Sequence, residues 1–363
     1  VDTNGKLLST DRTWEVIKNY NIGLDFGFLD NRLTGTAELF WKKCNNMLID
    51  VTYPGTLGDK APTANRGSFK ANGWEGTINW SDKIGEISYH LGGTFTYTTN
   101  KLVDNGGDAV IKSGVVSNRE GYPLNSVFGL KYCGKIQTQD QLDKYINQYA
   151  NGNNNIAMPG NLRLGDNMYE DVNKDGKLTE ADYVYLGTDD PKVSFSFNAG
   201  LSWKGFDVSV IFQGAGKRTV WRGGENNQKG KNDNWRIPMM SWYNNSTNQS
   251  VGNVWSAETP NAHYPTYTHQ TQINLYNYIC SSWSVEDGAY LRLKNVTLGY
   301  TFPANVLSKT KFISYARIYV SGADLWENSK IKDGWDPEAS RKVETFGRYP
   351  FTRNLTVGLN LTF

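Results

Sequence analysis

The stretch Leu355-Thr356-Val357-Gly358-Leu359-Asn360-Leu361-Thr362-Phe363 decides the fold. Apolar side chains take every second position and small or polar ones fill the gaps. An extended chain therefore puts Leu355, Val357, Leu359, Leu361 and Phe363 on one face, whereas a helix would scatter them around its circumference. The same period of two runs through Tyr20, Ile22, Leu24, Phe26 and Phe28, and through Val193, Phe195, Phe197, Ala199, Leu201 and Trp203. Further strands are predicted at 33–48, 72–81, 86–98, 207–217, 289–302 and 315–326. In 289–302 the phase slips, because Leu291 and Leu293 are out of step with Val296, Leu298, Tyr300 and Phe302, and a bulge is expected there.

Composition agrees with a β architecture. The chain has 363 residues, 37 of them Gly, with 13% aromatics and a mean hydropathy of −0.56. No run approaches the roughly 18 apolar residues of a membrane helix, but a transmembrane strand needs only about ten, half of them polar. The 38 basic and 36 acidic residues are scattered, so no footprint for nucleic acid exists. Cys44, Cys133 and Cys280 lie far apart with no C-x-x-C spacing, which argues against a zinc or thiol-redox motif. The start, Val1-Asp2-Thr3-Asn4, has no signal-peptide pattern, so a mature or internal segment of an exported protein is expected.

A soluble sandwich would also alternate. Three features favour a barrel in a membrane. The polar face is Ser, Thr, Asn, Gly and Asp, which suits a lumen, while the other face is bulky enough for lipid. Aromatics gather near strand ends, at Phe26, Phe28, Trp80, Tyr97, Trp203, Tyr300 and Phe302, where interfacial girdles lie. Connections alternate between short (30–32, 81–85, 204–206, 303–314) and long (about 49–71, 99–192, 218–288 and 327–351), as periplasmic turns and extracellular loops do. Residues 126–136 also look like a strand. Counting them as spanning would place the short 204–206 turn outside, so they are assigned to an extracellular excursion. The expectation is an all-β, antiparallel up-and-down transmembrane barrel portion over 1–363. It has nine spanning strands, and since single-chain barrels have even numbers, an odd number is expected upstream.

Several ordered strings resemble SusC/RagA-family TonB-dependent outer-membrane transporters. They are Asn21-Ile22-Gly23-Leu24-Asp25-Phe26 with Asn31-Arg32-Leu33, Asn65-Arg66-Gly67 with Asn72-Gly73-Trp74-Glu75, and Tyr169-Glu170-Asp171-Val172-Asn173-Lys174-Asp175-Gly176. Next come Lys204-Gly205-Phe206-Asp207, Gly288-Ala289-Tyr290-Leu291-Arg292-Leu293-Lys294-Asn295-Val296, Asp336-Pro337-Glu338 and Tyr349-Pro350. The resemblance implies a barrel of about 22 strands, an N-terminal plug and TonB box outside this chain, a SusD-like lipoprotein lid, and glycan or peptide cargo. It also implies that Phe363 is a barrel-assembly signal.

Asp171, Asn173, Asp175, the Lys177 carbonyl and Asp182 follow the oxygen spacing of a calcium loop, with Gly176 at the sharp turn and Asp at position 12 where Glu is usual. The alternative is a solvated Asn/Asp/Gly turn. The 218–288 loop carries Trp221, Trp235, Trp242, Tyr243 and Trp255 among amides, which suits stacking on cargo or lid, although packing of the loop onto itself or onto a lid is favoured for most of these rings. His90, His263 and His269 read as ordinary polar histidines. No G-x-S-x-G, H-E-x-x-H or phosphate-loop motif is present, so binding rather than catalysis is expected. A passive porin-like channel and a soluble carbohydrate-binding β-protein are the other functional classes.

Overall fold

The computed structural model describes residues 12–49, 63–105, 116–149, 161–221, 251–268, 270–310, 312–331, 336–338 and 352–363. Nine strands make one continuous wall: β1 (Val16–Phe28), β2 (Leu33–Ile49), β3 (Ala64–Ile84), β4 (Ile87–Asn105), β5 (Val193–Trp203), β6 (Phe206–Ala215), β7 (Tyr290–Thr301), β8 (Tyr315–Ser329) and β9 (Asn354–Thr362). Each strand pairs antiparallel with its neighbours in chain order, and β1 and β9 are the edges.

Register carries the apolar alternation from strand to strand. Ile22, Leu39, Trp74 and Tyr97 stand opposite one another across β1 to β4. Leu201, Val208, Leu298, Val320 and Val357 do the same across β5 to β9. Because directly opposed residues share a face, the apolar positions form one surface. It is uncovered: on β9, Leu355 is 76% and Val357 73% exposed. The opposite face is a ladder of hydroxyls, with Thr36 Oγ1 2.8 Å from Thr77, Thr94 Oγ1 2.7 Å from Ser196 and Thr297 Oγ1 2.9 Å from Ser321.

The expected bulge is present. Lys294 is skipped between Leu293 and Asn295 in the pairing of β7 with β8, and the β6 ladder shifts at the same level. That extra residue returns Leu291 and Leu293 to the face of Val296 and Leu298. The turn between β5 and β6 is tight because Lys204 and Gly205 both adopt positive φ, 48° and 89°, which matches the twist of a two-residue hairpin.

Two expectations need correction. Strand β3 begins at Ala64 instead of 72, and β4 continues to Asn105 instead of 98. Alternation of hydropathy marks the lipid zone only, while backbone pairing continues through polar residues above it. At about 3.3 Å per residue, the 21 residues of β3 reach roughly 70 Å, more than twice a hydrocarbon core of about 30 Å. The short 303–314 connection includes a helix at Ala304–Leu307.

Residues 126–136 stay out of the wall. Ser126–Gly129 pairs with Val184–Thr188, and Tyr132–Lys135 pairs with Asn167–Tyr169. With helix α1 (Gln139–Tyr149) and helix α2 (Thr271–Asn277), these pieces build a head above the wall. No helix among the described residues is long and apolar enough to cross a membrane.

Candidate functional site

The head joins two loops that are far apart in sequence. Helix α1 buries Leu142, Tyr145 and Tyr149 against Leu130, Ile136, Leu162, Tyr169 and Leu178, all from the 99–192 loop. Tyr276 enters the same core from the 218–288 loop. Its hydroxyl lies 2.6 Å from that of Tyr145, and the Tyr169 hydroxyl donates to the carbonyls of Tyr276 and Asn277 at 3.0 Å each. Asn277 completes the seam: its amide oxygen accepts from Asn167 N at 2.8 Å and its amide nitrogen donates to Asp166 at 2.8 Å. Burial pushes the Tyr145, Tyr169 and Tyr276 hydroxyls upward and Tyr149 up to about 12, so these rings remain neutral donors. Burial also raises Asp166, against the opposing bonds from Asn277 and Arg163.

Where the loops meet the wall, a charge cluster ties their bases together. Arg292 of β7 is fully buried. Its Nε donates to Glu327 at 2.8 Å, its Nη2 to Asp336 at 2.8 Å, and its Nη1 lies 3.2 Å from Glu338. Lys294, the bulged residue, reaches Asp324 at 3.4 Å and Glu338 at 3.3 Å. Arg218 bonds Asp189 through Nε at 3.1 Å and donates to the Pro337 carbonyl at 2.9 Å. Three cations thus face five carboxylates, the whole cluster drawing on five chain segments. Two strings noted above only for their resemblance, 288–296 and 336–338, are therefore one structural unit. Their signal in the sequence was Arg292, a cation at a polar-face position between Leu291 and Leu293.

A cleft of 450 Å³ opens beside this cluster, lined by Thr94, Thr96, Ser194, Ser196, Gln213, Arg218, Tyr290 and Glu338. A second, of 240 Å³, lies along the polar face between Asp25, Glu38, Glu75 and the Thr36, Thr77 and Thr94 hydroxyls. Both offer hydroxyls and carboxylate, and the larger adds the Arg218 guanidinium, a set suited to a hydroxyl- or amide-rich solute.

The aromatic candidates separate. Trp221 is 4% exposed and packs with Val127 and Cys280, the internal packing favoured for most rings of this loop. It follows the short strand Thr219–Val220, which pairs with Glu286–Asp287. Trp255 is partly buried, donates Nε1–H to Gln137 at 2.8 Å and leans over Gly165, where a Cβ would collide with its ring. Its described contacts are internal as well. Trp235, Trp242 and Tyr243 lie outside the described residues. His263 stacks on Trp283 at 5.2 Å, and burial followed by Lys135 lowers its pKa. His90 stands opposite Gly200 on the polar face.

The 171–182 loop has the turn expected of it, with Gly176 at φ 79° and Leu178 buried. Asp171 accepts from Gly176 N at 2.8 Å and Asn173 from Asp175 N at 2.9 Å. Asp182 accepts backbone hydrogen bonds through both carboxylate oxygens. Its Oδ1 accepts from Val172 N at 2.9 Å and its Oδ2 from Thr179 N at 2.8 Å. Among the described residues, no three Asp, Glu, His or Cys side chains converge on a metal-sized point. The side chains of Asp171, Asn173 and Asp175 and the Lys177 carbonyl fit a calcium donor set, while Asp182 is turned to closing the loop. Phe363 stacks against Phe312 at 6.3 Å.

No protein-family model matches the chain. It is 27% identical over 99% of its length to TonB-dependent receptor P26 of Formosa agariphila. It is 23% identical over 99% of its length to TonB-dependent receptor SusC of Bacteroides thetaiotaomicron. The chain spans about a third of these relatives, 36% and 33%. Among solved structures, the RagAB peptide importer in its open-open state aligns with a TM-score of 0.72 at 19% identity, over 97% of this chain and 35% of that one. The RagAB peptide transporter aligns with a TM-score of 0.70 at 21% identity.

Proposed function

We propose that this chain, an outer-membrane β-barrel portion of the SusC/RagA type by its similarity to part of TonB-dependent receptors, forms wall and extracellular head of an active importer. The importer is energised through TonB and closed from outside by a SusD-like lipoprotein. The observation that carries this reading is the head itself. Two long loops share one hydrophobic core and are clamped to the wall by the Arg292 cluster, which makes a firm rim against which a lid can close.

Oligosaccharide is the cargo we favour, because the clefts below the rim present Thr and Ser hydroxyls, Gln213 and carboxylates, partners for sugar hydroxyls. Peptide is the second reading, supported by the likeness to a structure described as a peptide importer. A passive pore has no need of a lid rim. Bond cleavage finds no support in relatives that are named receptors. Calcium, held by Asp171, Asn173, Asp175 and the Lys177 carbonyl, would stiffen the head without taking part in chemistry.

The test uses cells whose only importer of this type is the full-length parent. They are given mixed oligosaccharides or mixed oligopeptides, with and without TonB. TonB-dependent depletion of oligosaccharides is expected. Depletion of peptides alone selects the second reading, and uptake indifferent to TonB contradicts active import.

A further inference from the structure

The register of the first four strands places four lysines in one row. Lys18 of β1 stands opposite Lys43 of β2, Lys43 opposite Lys70 of β3, and Lys70 opposite Lys101 of β4. All four are exposed. They share the apolar face, one step beyond Tyr20 and Trp41, which oppose each other and lead down to Ile22, Leu39, Trp74 and Tyr97. Of the carboxylates on these strands, Glu38 and Glu75 project from the other face, whereas the bulge after Leu102 pairs Asp104 with Ser68 and so brings it to the lysine face next to Lys70 and Lys101. Among the described residues none of the four lysines makes an ion pair.

Like charges directly opposite one another destabilise a sheet. With strands about 4.8 Å apart, four ammonium groups are strung along roughly 15 Å. Within the described wall Asp104 sets one negative charge on that face against four positive ones, so most of the counter-charge must come from outside. Depth says where. Above an apolar band and an aromatic layer, on the long-loop side, the next layer lies at the lipid headgroups of the outer leaflet. The row ends at β4, because β5 begins at Val193, opposite Tyr97.

We propose that Lys18, Lys43, Lys70 and Lys101 form a binding site for the phosphate groups of an outer-leaflet glycolipid. The site rests on the barrel's placement in the outer membrane and is independent of cargo. Each lysine contributes attraction to an anionic surface, and a row across adjacent strands is stiff, so the charges are held in place before the lipid arrives. The lipid then becomes an ordered partner of the wall beside the β3–β4 hairpin, which continues upward to the head.

The experiment uses the full-length parent in neutral detergent, with retained lipid and thermal stability read for bis-phosphorylated lipid A, its dephosphorylated form and inorganic phosphate. The wild type should bind lipid A and be stabilised by it, but not by the other two. The variant with all four lysines changed to Gln should lose about tenfold or more in lipid A affinity, while the four-Arg variant keeps it and Lys42→Gln, on the other face, has no effect. Normal heat-modifiable mobility of each variant shows that the barrel has assembled. Equal lipid A affinity in the Gln variant and the wild type would mean four merely solvated lysines and overturns the site. Stabilisation by inorganic phosphate equal to that by lipid A overturns the lipid assignment. Neither result bears on TonB-dependent uptake, which is measured separately.

Discussion

Arg292 and Asp336 are 44 residues apart in the chain and joined by a 2.8 Å hydrogen bond where the head meets the wall. Arg292 has no exposed surface, while the Asp336 and Glu338 side chains are each 27% exposed. Removing the cation should therefore leave carboxylates that are desolvated but not sealed. Arg292→Met is expected to weaken docking of 336–338 by about 3 kcal/mol, the low end for breaking a buried pair. Asp336→Asn should cost less, about 1–2 kcal/mol. Protease sensitivity around 336–338 in the full-length protein reads both, and wild-type resistance in Arg292→Met would show that other contacts hold the segment.

The faces of β9 differ in what they tolerate. Leu355→Asp or Val357→Asp should block membrane assembly, because a charge toward lipid costs about 2–4 kcal/mol near midplane. Thr356→Asp points into the lumen and should assemble. Heat-modifiable mobility of the three variants distinguishes them, and equal assembly of all three contradicts the assignment of faces.

How much was legible in the sequence follows from what each feature depends on. The nine strands, the bulge at Lys294 and the exclusion of 126–136 were readable because alternation, phase and loop length are local signals. The upper parts of β3 and β4 were not, since polar paired strand looks like loop when hydropathy is the guide. Site residues fared less well for the same reason. Trp221 could be recognised as an aromatic in a loop, but whether it is buried depends on Val127 and Cys280, which approach from distant segments. The Arg292 cluster and the lysine row require register, and register is fixed only by pairing.

The seam between the two loops should behave as one cooperative unit. Tyr276→Ala removes a ring shared by both loops and is expected to cost about 3–5 kcal/mol of head stability. Tyr276→Phe loses only the hydroxyl contact with Tyr145, about 1 kcal/mol. Hydrogen exchange is the readout: in Tyr276→Ala, protection should fall together in α1 and at Asn167. Loss confined to α2 would mean that the loops fold independently.

Metal at the 171–182 turn has its own signature. If calcium is held there, chelator should raise protease cleavage within 161–190, and Asp171→Ala with Asp175→Ala should abolish the chelator effect. The Asp171 and Asn173 oxygens that accept from Gly176 and Asp175 are lost or displaced by the same change, so the double variant should be cleaved faster even with calcium present. Cleavage that ignores chelator in the wild-type protein leaves a turn closed by backbone amides alone.

The account stands on one claim, that a single face of this nine-stranded wall meets lipid while the other meets water. Spin labels placed one at a time at 355, 356, 357, 358 and 359 of the full-length protein, reconstituted in bilayers, measure it directly through collision with oxygen and with a water-soluble nickel chelate. Labels at 355, 357 and 359 should favour oxygen and those at 356 and 358 the chelate, alternating residue by residue. Collision rates that vary smoothly along the strand, with no alternation, would contradict the lipid-facing wall.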